Sequence, residues 1–463
     1  MAQTLFDKLW DMHRVKTLRS GEDLIAIDRV FLHERTGSVA LRSMLEAGRK
    51  PLRPKHVFCT MDHIVSIKSE RQKDDARMPK GQNFIQATRE ASKEAGIELI
   101  DVLSPEQGIV HVISPEMGIV QPGMTLVCPD SHTCSQGALG AMAWGIGSTD
   151  AEHAMVTGTL RLRKPPQMRI TIDGAFQAGV TAKDLALFII AKFGASGGGR
   201  AAIEYAGSTI EAMPVEARLT LCNLAVEFAA FTAIIAPDTI TANYLKGRQY
   251  APKDWERAQA QWATLKTDPS ARFDIEHHIK AEDVPPMVTW GTSPEDAVSI
   301  FSEVPKTKKG SSLDYMGLTE GAAMESLSLG GAFIGSCTNS RITDLRAAAA
   351  ILKGRRINES LRAICVPGSM AVRRQAEAEG LDIIFKEAGF EWGAAGCAMC
   401  FYAGGDTFAP GTRVISSTNR NFKGRQGPNV RTHLASPAIV AASAIAGHIC
   451  APSELGKGGT DGQ

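Results

Sequence analysis

Short runs of β-branched and other apolar residues recur along the chain, and each stops at a small polar loop before a helical pattern resumes. The clearest are His56-Val-Phe-Cys-Thr60, Thr125-Leu-Val-Cys128, Ala332-Phe-Ile-Gly335, Ala363-Ile-Cys-Val366 and Arg413-Val-Ile-Ser-Ser417. Strands alternating with helices in this rhythm predict α/β architecture. Helix entries are marked by the capping-box spacing of Thr149 with Glu152 and by Ser436 before a first-turn Pro437. The run Gly194-Ala-Ser-Gly-Gly-Gly-Arg200 predicts a separator between two such regions, and the charged stretch 255–286 predicts a peripheral segment. Boundaries near 165 and 288 predict three domains, 1–165, 166–287 and 288–463. There is no periodic repeat, and the only compositional bias is a glycine-rich tail. Because ligands gather at the carboxyl ends of strands in open α/β sheets, loops hundreds of residues apart can converge on one site.

Composition narrows the function classes. With 463 residues, 44% hydrophobic and 22% charged, the chain can bury a sizeable core. Its 51 basic and 50 acidic residues nearly cancel, which argues against wholesale binding to nucleic acid or membrane. The N-terminal residues mix acids into an amphipathic pattern unlike a signal peptide, and no apolar run is long enough to span a bilayer. Nine scattered cysteines fit a reducing compartment better than a disulfide framework, so the expected location is cytoplasmic.

Cys337 closes the run Gly331-Ala-Phe-Ile-Gly-Ser-Cys-Thr-Asn-Ser-Arg341, and Cys397 and Cys400 form a Cys-Ala-Met-Cys pair. Three thiolates would hold an iron–sulfur cube with one iron open to substrate, whereas four would make an electron carrier. The spacing also suits zinc or inert thiols. Thr338, Asn339 and Ser340 lead into a helix predicted over 341–355, which offers amide and hydroxyl donors to a cluster. Asp130-Ser-His-Thr133 and Met61-Asp-His-Ile64 each follow a strand, and an acid beside a histidine can tune its basicity. His111 sits in an apolar run read as a strand, where a core histidine is the plain alternative. Asn223 and Glu227, four apart in an apolar helix, share a face. Arg420 and Arg425 lie in Asn419-Arg-Asn-Phe-Lys-Gly-Arg425, and guanidinium forks suit carboxylates, although a solvated basic loop reads the same way.

In combination the Gly-Ser-Cys-Thr-Asn-Ser-Arg, Asp-Ser-His-Thr and Asn-Arg-Asn-Phe-Lys-Gly-Arg runs resemble the aconitase superfamily, and within it the large subunits of isopropylmalate dehydratases. The resemblance spans nearly the whole chain. It implies three α/β/α domains around a [4Fe–4S] cluster on Cys337, Cys397 and Cys400, without the swivel domain of single-chain aconitases. It implies the pairings His63 with Asp62, His111 with Asp130 and His132 with Glu227. Ser131 and Asn223 would line the site, and Arg420 and Arg425 would clamp a substrate carboxylate. The implied activity is hydro-lyase chemistry on a hydroxy-dicarboxylate. In those aconitases a Ser-Ser-Arg run of the swivel domain supplies the base and another substrate arginine, and here the resemblance implies that a separate small subunit would bring it. Against typical isopropylmalate enzymes the chain departs at His33-Glu-Arg-Thr-Gly-Ser-Val39, where His-Glu-Val-Thr-Ser-Pro-Gln is usual, and at Phe401-Tyr-Ala-Gly404, Phe228-Ala-Ala-Phe231 and Lys423. These changes spare the cysteines and histidines and alter their surroundings, which keeps citraconate, maleate or dimethylmalate open as alternative substrates.

Overall fold

The computed structural model describes residues 2–307, 310–405 and 407–455, and the glycine-rich tail lies outside the described residues. Three parallel sheets carry the architecture. The first runs, in spatial order, Glu98–Ile100, Val57–Thr60, Arg29–His33, Thr125–Cys128 and Met142–Gly145. The second is Thr232–Ile234, Ala202–Ala206, Gln167–Asp173 and Ile275–Lys280. The third is Phe390–Trp392, Arg362–Cys365, Gly331–Ile334, Arg413–Ser416 and Arg431–Leu434. Parallel strands need crossovers, most of them helical here, and so lie buried on both faces. That is why Val57–Thr60, Thr125–Cys128 and Gly331–Ile334, buried at every position, read as continuous apolar runs.

The first and third sheets are wound alike. In each, the strand that comes first along the chain, Arg29–His33 or Gly331–Ile334, lies in the middle, the next two add on one side and the last two on the other. Such a reversal opens a crevice beyond the carboxyl end of the central strand. The two crevices are tied together by backbone hydrogen bonds from Cys397 N–H to the Asp62 carbonyl (2.8 Å) and from Ile109 N–H to the Gly368 carbonyl (2.8 Å). One continuous apolar core runs from Leu5 to Val284 and takes in both the first and second sheets; another spans Val288 to Ala451.

Several local expectations change. His111 is on a helix, Val110–Glu116, not a strand, because a run buried throughout gives no periodicity to separate the two. Thr149 makes no capping box: the helix Ser148–Thr157 starts after Gly147, and Glu152 instead accepts from Ser43 Oγ and Arg49 Nη1, both at 2.7 Å. The Gly194 to Arg200 run joins the helix Ala182–Phe193 to the strand Ala202–Ala206 within the second sheet's unit, so it separates no regions. The stretch 255–286 is largely exposed, yet it supplies that sheet's edge strand. The helix after Cys337 is Ile342–Leu352, with Arg341 at its cap. Among the described residues no helix is long and apolar enough to cross a membrane.

Gly137 fixes how the first sheet meets the second. A Cβ there would lie 1.7 Å from the Ala233 carbonyl oxygen, and the Gly137 carbonyl accepts from Ile235 N–H at 3.0 Å. Only a residue without a side chain lets the turn Ser131–Leu139 press against that strand. Gly137→Ala is expected to cost about 3 kcal/mol, by overpacking against backbone that cannot yield. A lowered urea midpoint checks this, and an unchanged midpoint refutes it.

Candidate active site

Three loops leave the first sheet at the carboxyl ends of Arg29–His33, Val57–Thr60 and Thr125–Cys128, and bring His33-Glu34, Asp62-His63 and Asp130-Ser131-His132 together. His63 Nδ1 lies 2.5 Å from Asp62 Oδ1, and His111 Nε2 lies 2.8 Å from Asp130 Oδ1. His132 Nε2 reaches Glu227 Oε1 at 2.8 Å. Asp130 is the hub of the group. It also accepts from the His132 backbone N–H at 2.8 Å and faces His63 Nε2 at 3.5 Å.

Burial alone would discharge these groups, so the pairing decides their state. Desolvation works against the His63 charge, but Asp62 raises its pKa well above the ordinary 6.5. The same balance raises His132, through Asp130 and Glu227. Asp130, despite burial, is held well below the usual carboxylate range by the histidines around it. His33 stacks on His63 with ring centroids 4.1 Å apart, and burial, then the His63 charge, lowers it to about 4. A neutral imidazole thus backs a charged one.

The third sheet contributes the thiols. Cys337 follows Gly331–Ile334, and Cys397 and Cys400 sit in the loop after Phe390–Trp392. They pack with Ile109 and Val112 and share a cavity of about 130 Å³ with His63, His111, His132, Arg420 and Arg425. Among the described residues no other cysteine lines it. Hydrogen-bond donors point at the sulfurs: Asn223 Nδ2 (3.2 Å) and Asn419 Nδ2 (3.4 Å) at Cys337, Ser336 Oγ (3.4 Å) and Arg425 Nη2 (3.5 Å) at Cys400. Burial opposes charge on Cys400, yet Arg425 and Ser336 bring its pKa below the ordinary value. Ser336 and Ala398, beside the cysteines, hold φ of 80° and 49° without being glycine, and such strain persists only where surrounding structure enforces it. The donor set, three thiols ringed by hydrogen-bond donors at the mouth of a polar cavity, fits a thiolate-bound metal centre with one position left for substrate.

Arg420 Nε donates to Glu227 Oε1 at 2.6 Å, making a His132–Glu227–Arg420 chain, and Ser131 lines the cavity beside it. Asn223 behaves differently from its expected place on a substrate wall. It is fully buried on the helix Val215–Leu224 with its Nδ2 3.2 Å from Cys337 Sγ, while Glu227 lies on the 3₁₀ turn Ala225–Phe228 that follows. Reading the sequence also passed over Asn419, Ser336 and Glu34. The first two stand within the quoted runs, one beside Arg420 and the other beside Cys337. Glu34, 0% exposed, accepts from the backbone N–H groups of Asp62 (3.0 Å) and Ile64 and so clamps the Asp62–His63 turn.

A model of the aconitase family (aconitate hydratase) matches residues 7–447. The chain belongs to the aconitase family. It is 47% identical over 459 residues to the 3-isopropylmalate dehydratase large subunit 1 of Bradyrhizobium diazoefficiens, covering 96% of each. Among solved structures, Thermococcus kodakaraensis aconitase X in its holo-form aligns over 86% of this chain and 84% of that one, with 13% identity and a TM-score of 0.45. Membership makes the chain a hydro-lyase of that family.

Glu34→Ala removes the acceptor of two buried amides and is expected to cost about 2–3 kcal/mol. Burial and then the Asp62 charge raise the Glu34 pKa above its ordinary 4.5. A raised acid stabilises the fold fully below its unfolded value, and that contribution is lost as pH climbs through the folded one. Wild type is therefore expected to lose stability from about pH 4.5 upward on a slope that Glu34→Ala lacks. Denaturant melts across that range check it, and parallel curves for the two proteins refute it.

Proposed function

We propose that the chain is the cluster-binding large subunit of a 3-isopropylmalate dehydratase. It interconverts 2-isopropylmalate and 3-isopropylmalate by loss and return of water through 2-isopropylmaleate, as a cytoplasmic enzyme of leucine biosynthesis. The observation that carries this reading is 47% identity along 96% of both chains to a relative of that name. The same reading divides the chain into domains at 1–165, 166–287 and 288–463, and gives it a small subunit as partner, with no role for nucleic acid or membrane.

Cys337, Cys397 and Cys400 would hold a [4Fe–4S] cluster, which when bound supplies a Lewis acid for the substrate hydroxyl. The other roles fall to side chains. His63, kept protonated by Asp62, gives the proton that leaves with the hydroxyl. Asp130 orients His111 and His132, and Glu227 sets both His132 and Arg420. Arg420 and Arg425, with Ser131 beside them, take a substrate carboxylate and offset the charge that builds as the neighbouring carbon loses its proton. Asn223 serves the thiolate side of the site. The base for that carbon proton is assigned to the small subunit, which also shuts water out.

The test is anaerobic reconstitution with the cognate small subunit. Isopropylmalate isomerisation is expected from the complex and not from the large chain alone. His63→Ala should lower kcat about 10²–10⁴-fold, the range for loss of a general acid. Cys397→Ser should abolish the visible absorbance of the reconstituted cluster while leaving the fold intact. Hydration of citraconate without turnover of isopropylmalate refutes the substrate, and activity of the large chain alone refutes the partner.

A further inference from the structure

Arg35, at the carboxyl end of the central strand Arg29–His33, lines the same cavity as the three cysteines. Its guanidinium carbon stands 4.5 Å from the centre of the Phe401 ring. Two of the positions at which this chain departs from the usual run therefore touch each other across the mouth of the site. Arg77 and Arg425 approach the same ring at 4.9 and 5.7 Å, so three cations surround one aromatic face.

Among the described residues, none of the three has a carboxylate partner, whereas Arg420 is already engaged by Glu227. Hydrogen-bonding capacity is left over as well. Arg77 gives one nitrogen to the Phe401 carbonyl while its Nη1 is buried without a partner, and Arg425 Nε is likewise unpartnered. Cys397, Cys400 and Glu34 offset the charge of Arg77 and Cys400 that of Arg425, whereas Arg35 meets no such group among the described residues, and a cation left so at a cavity suits an anion. Cys400 thus engages Arg425, which leaves Arg35, exposed on the wall of the same cavity, with no hydrogen-bond partner among the described residues. The cation–π contact with Phe401 restrains the fork, so less freedom is lost when it closes on a planar carboxylate.

We propose that Arg35 binds the second carboxylate of the substrate and so strengthens this chain's preference for dicarboxylates. This rests on the dehydratase reading, with Arg420 and Arg425 taking the first carboxylate. Phe401 is the platform for the fork.

The experiment uses the reconstituted two-subunit holoenzyme and calorimetric binding of maleate and of monomethyl maleate, which has the same frame and one charge fewer. Wild type is expected to prefer maleate at least tenfold. Arg35→Ala and the longer Arg35→Gln should each reduce that preference at least fivefold, and lower kcat/KM for the dicarboxylate substrate mainly through KM. A smaller reduction, an equal loss for both ligands, or weakened small-subunit association with the preference unchanged overturns the proposal. Absence of isopropylmalate turnover by wild type, with maleate binding still selective and still dependent on Arg35, sinks the substrate assignment and leaves this residue's role standing.

Discussion

Charge pairing in a desolvated place is the constraint on which the site depends. His63, His111 and His132 are each nearly inaccessible, and an isolated imidazolium or carboxylate there would shed its charge. Each instead meets an opposite partner at hydrogen-bonding distance, with Asp130 shared among all three rings. The network is reinforced from behind by uncharged or backbone contacts: neutral His33 against His63, and the Val110 N–H on Asp62 Oδ2 at 3.0 Å. Such a hydrogen-bonded group holds its geometry before any ligand arrives, which is what the proposed proton donor and carboxylate clamp would require.

That network exists because two sheets of the same winding order meet at their reversal points. The first supplies Asp62, Asp130 and two of the histidines from loops after its strands, and the third supplies the thiols, Arg420 and Arg425 from loops after its own. The second sheet has a smaller but necessary part, since Glu227 and Asn223 precede its edge strand Thr232–Ile234. Lys183, fully buried on the helix Ala182–Phe193, donates to the Ser417 and Thr418 carbonyls and so anchors the loop that carries Asn419 and Arg420. Each sheet thus contributes a share that the others cannot make.

Much of this was legible along the chain. The buried parallel strands announced themselves as uninterrupted apolar runs, and the polar loops after them marked the carboxyl ends where ligands collect. The Cys397–Cys400 spacing and the Gly-Ser-Cys run left cluster, zinc and inert thiols open. His111 was misread because complete burial removes the alternation that separates strand from helix. Asn223, expected to line the site, lies buried with its Nδ2 3.2 Å from Cys337 Sγ, a contact across 114 residues that spacing does not carry. Thr149 and Glu152 had the right spacing for a cap, but tertiary partners for Glu152 outcompeted the local bond.

The sequence by itself determined the α/β class, the positions of the three thiols along the chain and the kinds of side chain present, because periodicity and motif spacing are local properties. Only the tertiary structure decided which acid serves which histidine, that Glu34 clamps the Asp62–His63 turn and that Arg35 shares an aromatic ring with Arg425. Those contacts join residues tens to hundreds of positions apart, and their geometry follows from how whole sheets dock. Distance along the chain carries no record of that docking.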